Sequence, residues 1–240
     1  MPNYCFNKVN MRGIGSNKDF YTTSEKGNEE FDFQKIIECP DELYKSTAAG
    51  YAYDLDLREV IITALENLIH NDMHSFISSD YICSKAPLIA KEREAIEEVY
   101  KKYKVDRQRV LESGLSKFQL LVKYGFVSWY EFCTNIWGTK WNAWDTFIID
   151  EDNVEFITAW NPPYGIFMEL SKMYPYDLIT VDWSEEGGVS GFMQFHSGEC
   201  ICDKEYVYNV SSCEELDNCV ENRLFTPILP LSSGEENENK

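Results

Sequence analysis

The chain has 240 residues, 44% of them hydrophobic, and carries 41 acidic against 22 basic side chains for a formal net charge of -19. Such length and apolar content suit one elaborated domain or two small ones and exclude a disordered chain. The acids gather late: residues 1–50 hold 6 basic and 8 acidic side chains, residues 51–143 hold 12 and 13, and residues 144–240 hold 4 and 20, a field that repels phosphate, makes direct nucleic-acid binding unexpected and favours either a basic partner or plain solubility.

No run approaches the roughly 18 consecutive apolar residues of a membrane span, and Met1-Pro2-Asn3-Tyr4 has neither a basic nor an apolar leader character, so no membrane partner and a cytoplasmic location are expected. The eight cysteines, Cys5, Cys39, Cys83, Cys133, Cys200, Cys202, Cys213 and Cys219, are expected to be reduced thiols.

Residues 7–14 alternate weakly and end in Gly13-Ile14-Gly15, a strand leaving through a turn into a polar segment. The two glycines are not a dinucleotide loop, because the third glycine is replaced by Lys18. Residues 31–37 alternate again before Cys39-Pro40, which predicts a short strand or extended segment with a proline stop. From Asp54 the period becomes helical through Leu57, Val60, Ile61, Ala64, Leu65 and Leu68. A second helix is predicted from Pro87, a good first-turn residue, and a third from the cap Asp106. Gly114 is expected to break that helix before a fresh one over residues 116–124, ended by Gly125.

Residues 129–160 hold Trp129, Trp137, Trp141, Trp144 and Trp160, five of the six tryptophans. They read as a helix end followed by a hairpin, with strands over residues 146–149 and 154–160 and an acidic turn between them. Large indoles bury much area and need their N–H groups satisfied, so Trp137, Trp141 and Trp160 are expected to pack together beneath the sheet. Within Trp137-Gly138-Thr139-Lys140-Trp141-Asn142, Lys140 can lie over an indole and Asn142 can bond the backbone locally. The segment is a structural hub or a binding surface. Pro162-Pro163 then opens a helix that stops at Tyr174-Pro175, and residues 178–183, 189–195 and 200–210 form a meander. The order β, α, β, β, α, β with an antiparallel extension predicts an α+β fold, a ferredoxin-like antiparallel sheet with a helical insertion enlarging its first crossover and an added C-terminal β meander. The predicted division is a core of residues 1–39 and 126–231, an insertion of 40–125 and a flexible acidic tail of 232–240.

His70 and His74 lack the glutamate and third ligand of a zinc helix, and Cys200-x-Cys202 with Cys213 and Cys219 lacks the two C-x-x-C knuckles of a zinc ribbon. No metal and no cofactor is expected. Cys133, the pair Glu185-Glu186 and the run Asp150-Glu151-Asp152 have no catalytic partners in evidence, so no catalytic residue is assigned.

The stretches M-P-N-Y-C-F-N, F-D-F-Q-K-I-I-E-C-P, W-G-T-K-W-N-A-W-D and T-A-W-N-P-P resemble a phage- and plasmid-borne, YubB-like family with a C-terminal ferredoxin-like domain. The resemblance is absent from residues 45–125, and Tyr4 stands where members have tryptophan. It implies the fold and a mobile-element setting. With the acidic C-terminal part, it leads to the expectation of a non-enzymatic accessory protein that binds a host protein with a basic surface in the host cytoplasm. Such a protein would act as an inhibitor of a nucleic-acid-binding defence complex. A nucleotide- or RNA-binding ferredoxin-like module and a hydrolase or nuclease are the alternatives. The residues expected to bind are Trp137, Lys140, Trp141, Asn142, Glu185, Glu186, Glu214 and Glu215.

Overall fold

The computed structural model describes residues 3–24, 27–46, 53–70 and 79–207. His74, Cys213, Cys219, Glu214, Glu215 and the tail of residues 232–240 lie outside the described residues. The chain divides into two compact units, Met1–Glu38 with Cys133–Lys240, and Cys39–Phe132.

In the first unit the strands β1 (Tyr4–Asn10), β4 (Trp144–Ile148), β5 (Asn153–Ala159), β6 (Ile179–Glu185), β7 (Val189–His196) and β8 (Glu199–Val207) form one sheet in the order β4-β5-β1-β6-β7-β8. All its pairings are antiparallel. Taken alone, β1, β4, β5 and β6 have the strand order of a ferredoxin-like fold, with β1 between the third and fourth strands in sequence, and β7 and β8 extend it as the added meander. The second crossover is α6 (Tyr164–Met173), between β5 and β6. The first crossover ends in a π-helical turn, Cys133–Trp137, which packs on α6. One face of the sheet carries the core. Val9, Val154, Phe156, Val181 and Phe195 are at most 2% exposed, and so are Ile166, Phe167 and Leu170 of α6. A small hairpin of β2 (Tyr21–Thr23) and β3 (Glu29–Phe31) supplies Phe31, which stacks on Phe156 at 5.0 Å.

The short strand or extended segment predicted over residues 31–37 is instead the end of a strand and a turn. β3 ends at Phe31, and Phe33–Lys35 is a 3-10 turn whose cap, Asp32, accepts from the Gln34 N–H at 3.0 Å. Alternation alone cannot see that Asp32 competes for the backbone as a cap.

The second unit is helical: α1 (Asp41–Tyr44), α2 (Tyr53–His70), α3 (Ser79–Tyr103), α4 (Arg107–Tyr124) and α5 (Trp129–Phe132). Asp106 caps α4 by accepting from the Gln108 N–H at 2.9 Å, and Gly125 closes it at φ 78°. Two expectations fail here. α3 begins eight residues before Pro87, which sits inside the helix on its exposed side, where a missing backbone hydrogen bond costs least. α4 runs through Gly114 unbroken, because that glycine is where α2 touches it: a Cβ there would stand 2.2 Å from the Asp56 carbonyl oxygen and 2.7 Å from Val60 Cγ2. Close packing outweighs the roughly 1 kcal/mol of lost helix propensity.

Candidate functional site

The face of the sheet away from α6 is the candidate site, and its composition follows from register. Paired residues share a face, so one row of side chains crosses all six strands as Phe147, Glu155, Lys8, Asp182, Phe192 and Lys204. The neighbouring row reads Trp144, Ile157, Phe6, Ser184, Ser190 and Tyr206. Tyr4 extends the aromatic set, its ring standing edge-on to Trp144 at 5.8 Å. The first row is mostly charged and exposed, whereas the second, aromatic and hydroxylic, is half-buried with Ser184 and Ser190 buried.

A cavity of about 290 Å³ opens where the rows cross β4, β5 and β1. Phe6, Phe147 and Ile157 give it apolar walls, and Asp145, Glu155 and Asp182 an acidic rim with Lys8 among them. Phe147 is 60% exposed. A β-bulge between Trp144 and Phe147 holds Asp145 at φ 50°. Desolvation by the surrounding walls pushes the Asp182 carboxyl up from the ordinary aspartate range, while the Lys8 ammonium pulls it down. Such a site can hold a cation that also carries an apolar stem.

The sequence-predicted residues distribute differently. Trp137 is a core residue, 1% exposed, its indole N–H donating to the Ile37 carbonyl at 2.9 Å and its ring edge-on to Phe33. Trp141 does not join it beneath the sheet: it is 38% exposed and meets Trp144 at 6.1 Å. The Lys140 ammonium lies 4.5 Å from the Trp141 ring and 5.1 Å from that of Trp160, between two indoles. The expected hub is thus split, because the left-handed turns at Gly138 (φ 88°) and Trp160 (φ 69°) reverse the chain between the core indole and the outer pair. Asn142 accepts from the neighbouring Ala143 N–H at 3.0 Å, the local bond expected, and also from the Phe33 N–H, 109 residues away, at 2.8 Å. Glu185 accepts from the Asn3 amide at 2.6 Å, and Glu186 from the Tyr4 N–H at 3.0 Å, so both acids hold the start of β1.

The residues that sequence reasoning missed are Phe6, Lys8, Asp145, Phe147, Glu155 and Asp182. The Phe6-x-Lys8 alternation was the available signal, but which strands flank β1 is a matter of topology.

Residues 136–223 match the family model described as the ferredoxin-like domain in Api92-like protein. Among solved structures, the crystal structure of a protein api92 from Yersinia pseudotuberculosis is similar at 10% sequence identity with a TM-score of 0.34, covering 88% of this chain and 100% of that chain. No curated protein matches the sequence. The C-terminal part of the chain therefore matches the ferredoxin-like domain of Api92-like proteins, in agreement with the strand order of its sheet.

Proposed function

We propose that the chain is a non-enzymatic binding protein that docks the basic surface of a partner protein on the open face of its sheet. The observation that carries the reading is the cavity, whose rim sets three carboxylates, Asp145, Glu155 and Asp182, against a single ammonium, Lys8, over apolar walls. The wider surface has the same sign, since residues 144–207 hold 13 acidic and 2 basic side chains. A partner surface evolved to hold nucleic acid has the complementary charge. We therefore extend the reading to an accessory protein of a mobile element that occupies such a surface on a host protein, a setting suggested by the resemblance of the sequence to phage- and plasmid-borne proteins. A second reading, a base-stacking module, is favoured by Phe6, Tyr4 and Trp144 on the same face, the arrangement with which ferredoxin-like sheets stack bases. It lacks the positive field that phosphates require.

The test is affinity capture from a bacterial host lysate at about 0.1 M and 0.5 M salt, between which the Debye length falls well below 10 Å. The expected result is a protein retained at low salt, released at high salt, displaced by added nucleic acid and not retained by a Phe147→Ser/Asp182→Asn variant. Retention of nucleic acid by the purified chain itself would replace this reading by the second.

A further inference from the structure

The bulge in β4 places Asp145 in a left-handed conformation that non-glycine residues seldom adopt. Bulges re-aim side chains, and this one sets an exposed carboxylate on the rim of the open-face cavity. Among the described residues that carboxylate has no hydrogen-bond or ion-pair partner. Glu155 and Asp182 differ from it, because each stands directly beside Lys8 in the cross-strand row. A second unanswered group lies on the same face. Ser190 is 4% exposed and its hydroxyl has no partner among the described residues. It pairs across the strands with Ser184, which lines the cavity. A buried hydroxyl without a partner is costly; Ser184, not Ser190, is the serine that lines the cavity.

We propose that the cavity is a receptor for an arginine side chain presented by the partner, an inference that rests on the docking reading above. The methylene stem lies along Phe6 and Ile157, and the guanidinium stacks on the exposed ring of Phe147 while donating to Asp145 and Glu155. The Ser184 hydroxyl accepts from an N–H group of the segment that carries it. Guanidinium fits better than ammonium for three reasons. It is planar, it sheds water more readily onto an aromatic face, and its fork of five donors serves carboxylates on two strands at once. Anionic ligands are repelled by the rim. Lys8 stands between Glu155 and Asp182 in the cross-strand row, so Asp145 is the rim carboxylate that has no basic neighbour in that row.

The experiment is fluorescence anisotropy of labelled tetra-arginine, tetra-lysine and uncharged glycine-serine peptides against the purified full chain at about 0.1 M salt, where charges beyond about 10 Å are screened. Tetra-arginine is expected to bind about tenfold or more tighter than tetra-lysine. Asp145→Asn and Phe147→Ser should each weaken it by about tenfold, whereas Glu199→Gln, which removes the same charge from β8 outside the cavity lining, should change it by less than about twofold. Lys8→Met should strengthen it, since it removes a like charge. Circular dichroism confirms that each variant is folded. Equal affinity for the two basic peptides, an equal loss in Glu199→Gln, or no binding of tetra-arginine to the unmodified chain overturns the arginine receptor. The docking reading is judged separately. If a partner is still captured through the open face while tetra-arginine fails these criteria, the face stands and the arginine assignment falls; if neither occurs, both fall.

Discussion

The two units fill their interiors in opposite ways. In the sheet unit the centre is a chain of ring contacts, Trp137 on Phe33, Phe33 and Phe31 on Phe156, and Phe156 on Phe167, which in turn meets Phe195. In the helical unit the apolar cluster is small, with Leu55, Ile62, Ile89, Ile96 and Val110 at its centre, and ions complete it. Arg93 donates from Nη1 to Glu59 at 2.8 Å and from Nη2 to Glu66 at 2.6 Å, a pairing that raises its pKa further. Lys117 and Asp56, both under 10% exposed, meet at 2.8 Å. Aromatic contacts tolerate changes of salt and pH, whereas a buried ion pair is only as good as both its members. One unit is therefore stabilised by area and the other by pairing.

Breaking the aromatic interior should have the largest effect. Trp137→Ala removes a buried indole together with its hydrogen bond to Ile37 and is expected to cost about 4 kcal/mol, measured by urea denaturation followed by fluorescence of the other tryptophans. Next comes the ion pair. Lys117→Met leaves Asp56 buried and charged and should cost about 3 kcal/mol in the helical signal on denaturation, with Asp56→Asn added to it recovering part of the loss. If the single and double variants are equally stable to wild type, the helical unit is not held by this pair. Gly114→Ala sharpens the comparison, for it raises helix propensity yet drives a methyl into the α2 backbone; a net loss of about 2 kcal/mol is expected, and a gain would mean that the helices separate freely. The smallest effect belongs to Trp141→Ala. Its ring is part-exposed and its main contacts are Lys140 and Trp144, so about 1 kcal/mol is the expected loss of stability.

Much of the fold was legible because local chemistry and tertiary structure agree. Asp106 and Gly125 bound α4 as a cap and a left-handed stop, Pro162-Pro163 opens α6, and the turns at Gly187-Gly188 and Ser197-Gly198 separate the strands of the meander. Two of the failures share a cause: the residue also answers to something distant in sequence. Gly114 looks like a helix breaker until Asp56 is laid against it. Asp32 looks like a strand residue until its carboxylate is seen capping a 3-10 turn and accepting from the Asn142 amide at 2.7 Å. The candidate site was hidden for the same reason. Its charged row draws one residue from each of six strands, and no window of sequence contains more than a fragment of it.

The central position of β1 also sets a schedule. Asn7 hydrogen-bonds the Phe156 carbonyl and the Thr158 hydroxyl across 149 and 151 residues of sequence, so β1 leaves the ribosome long before its partner strand β5. At about 5–20 residues per second it waits roughly 7–30 s during synthesis with Cys5, Val9 and Phe6 uncovered. A growing chain that holds an apolar strand open for so long is exposed to chaperones and to its own copies on neighbouring ribosomes, and the lysine and asparagines interleaved in Phe6-Asn7-Lys8-Val9-Asn10 are the polar breaks that keep such a strand from pairing early with the wrong edge.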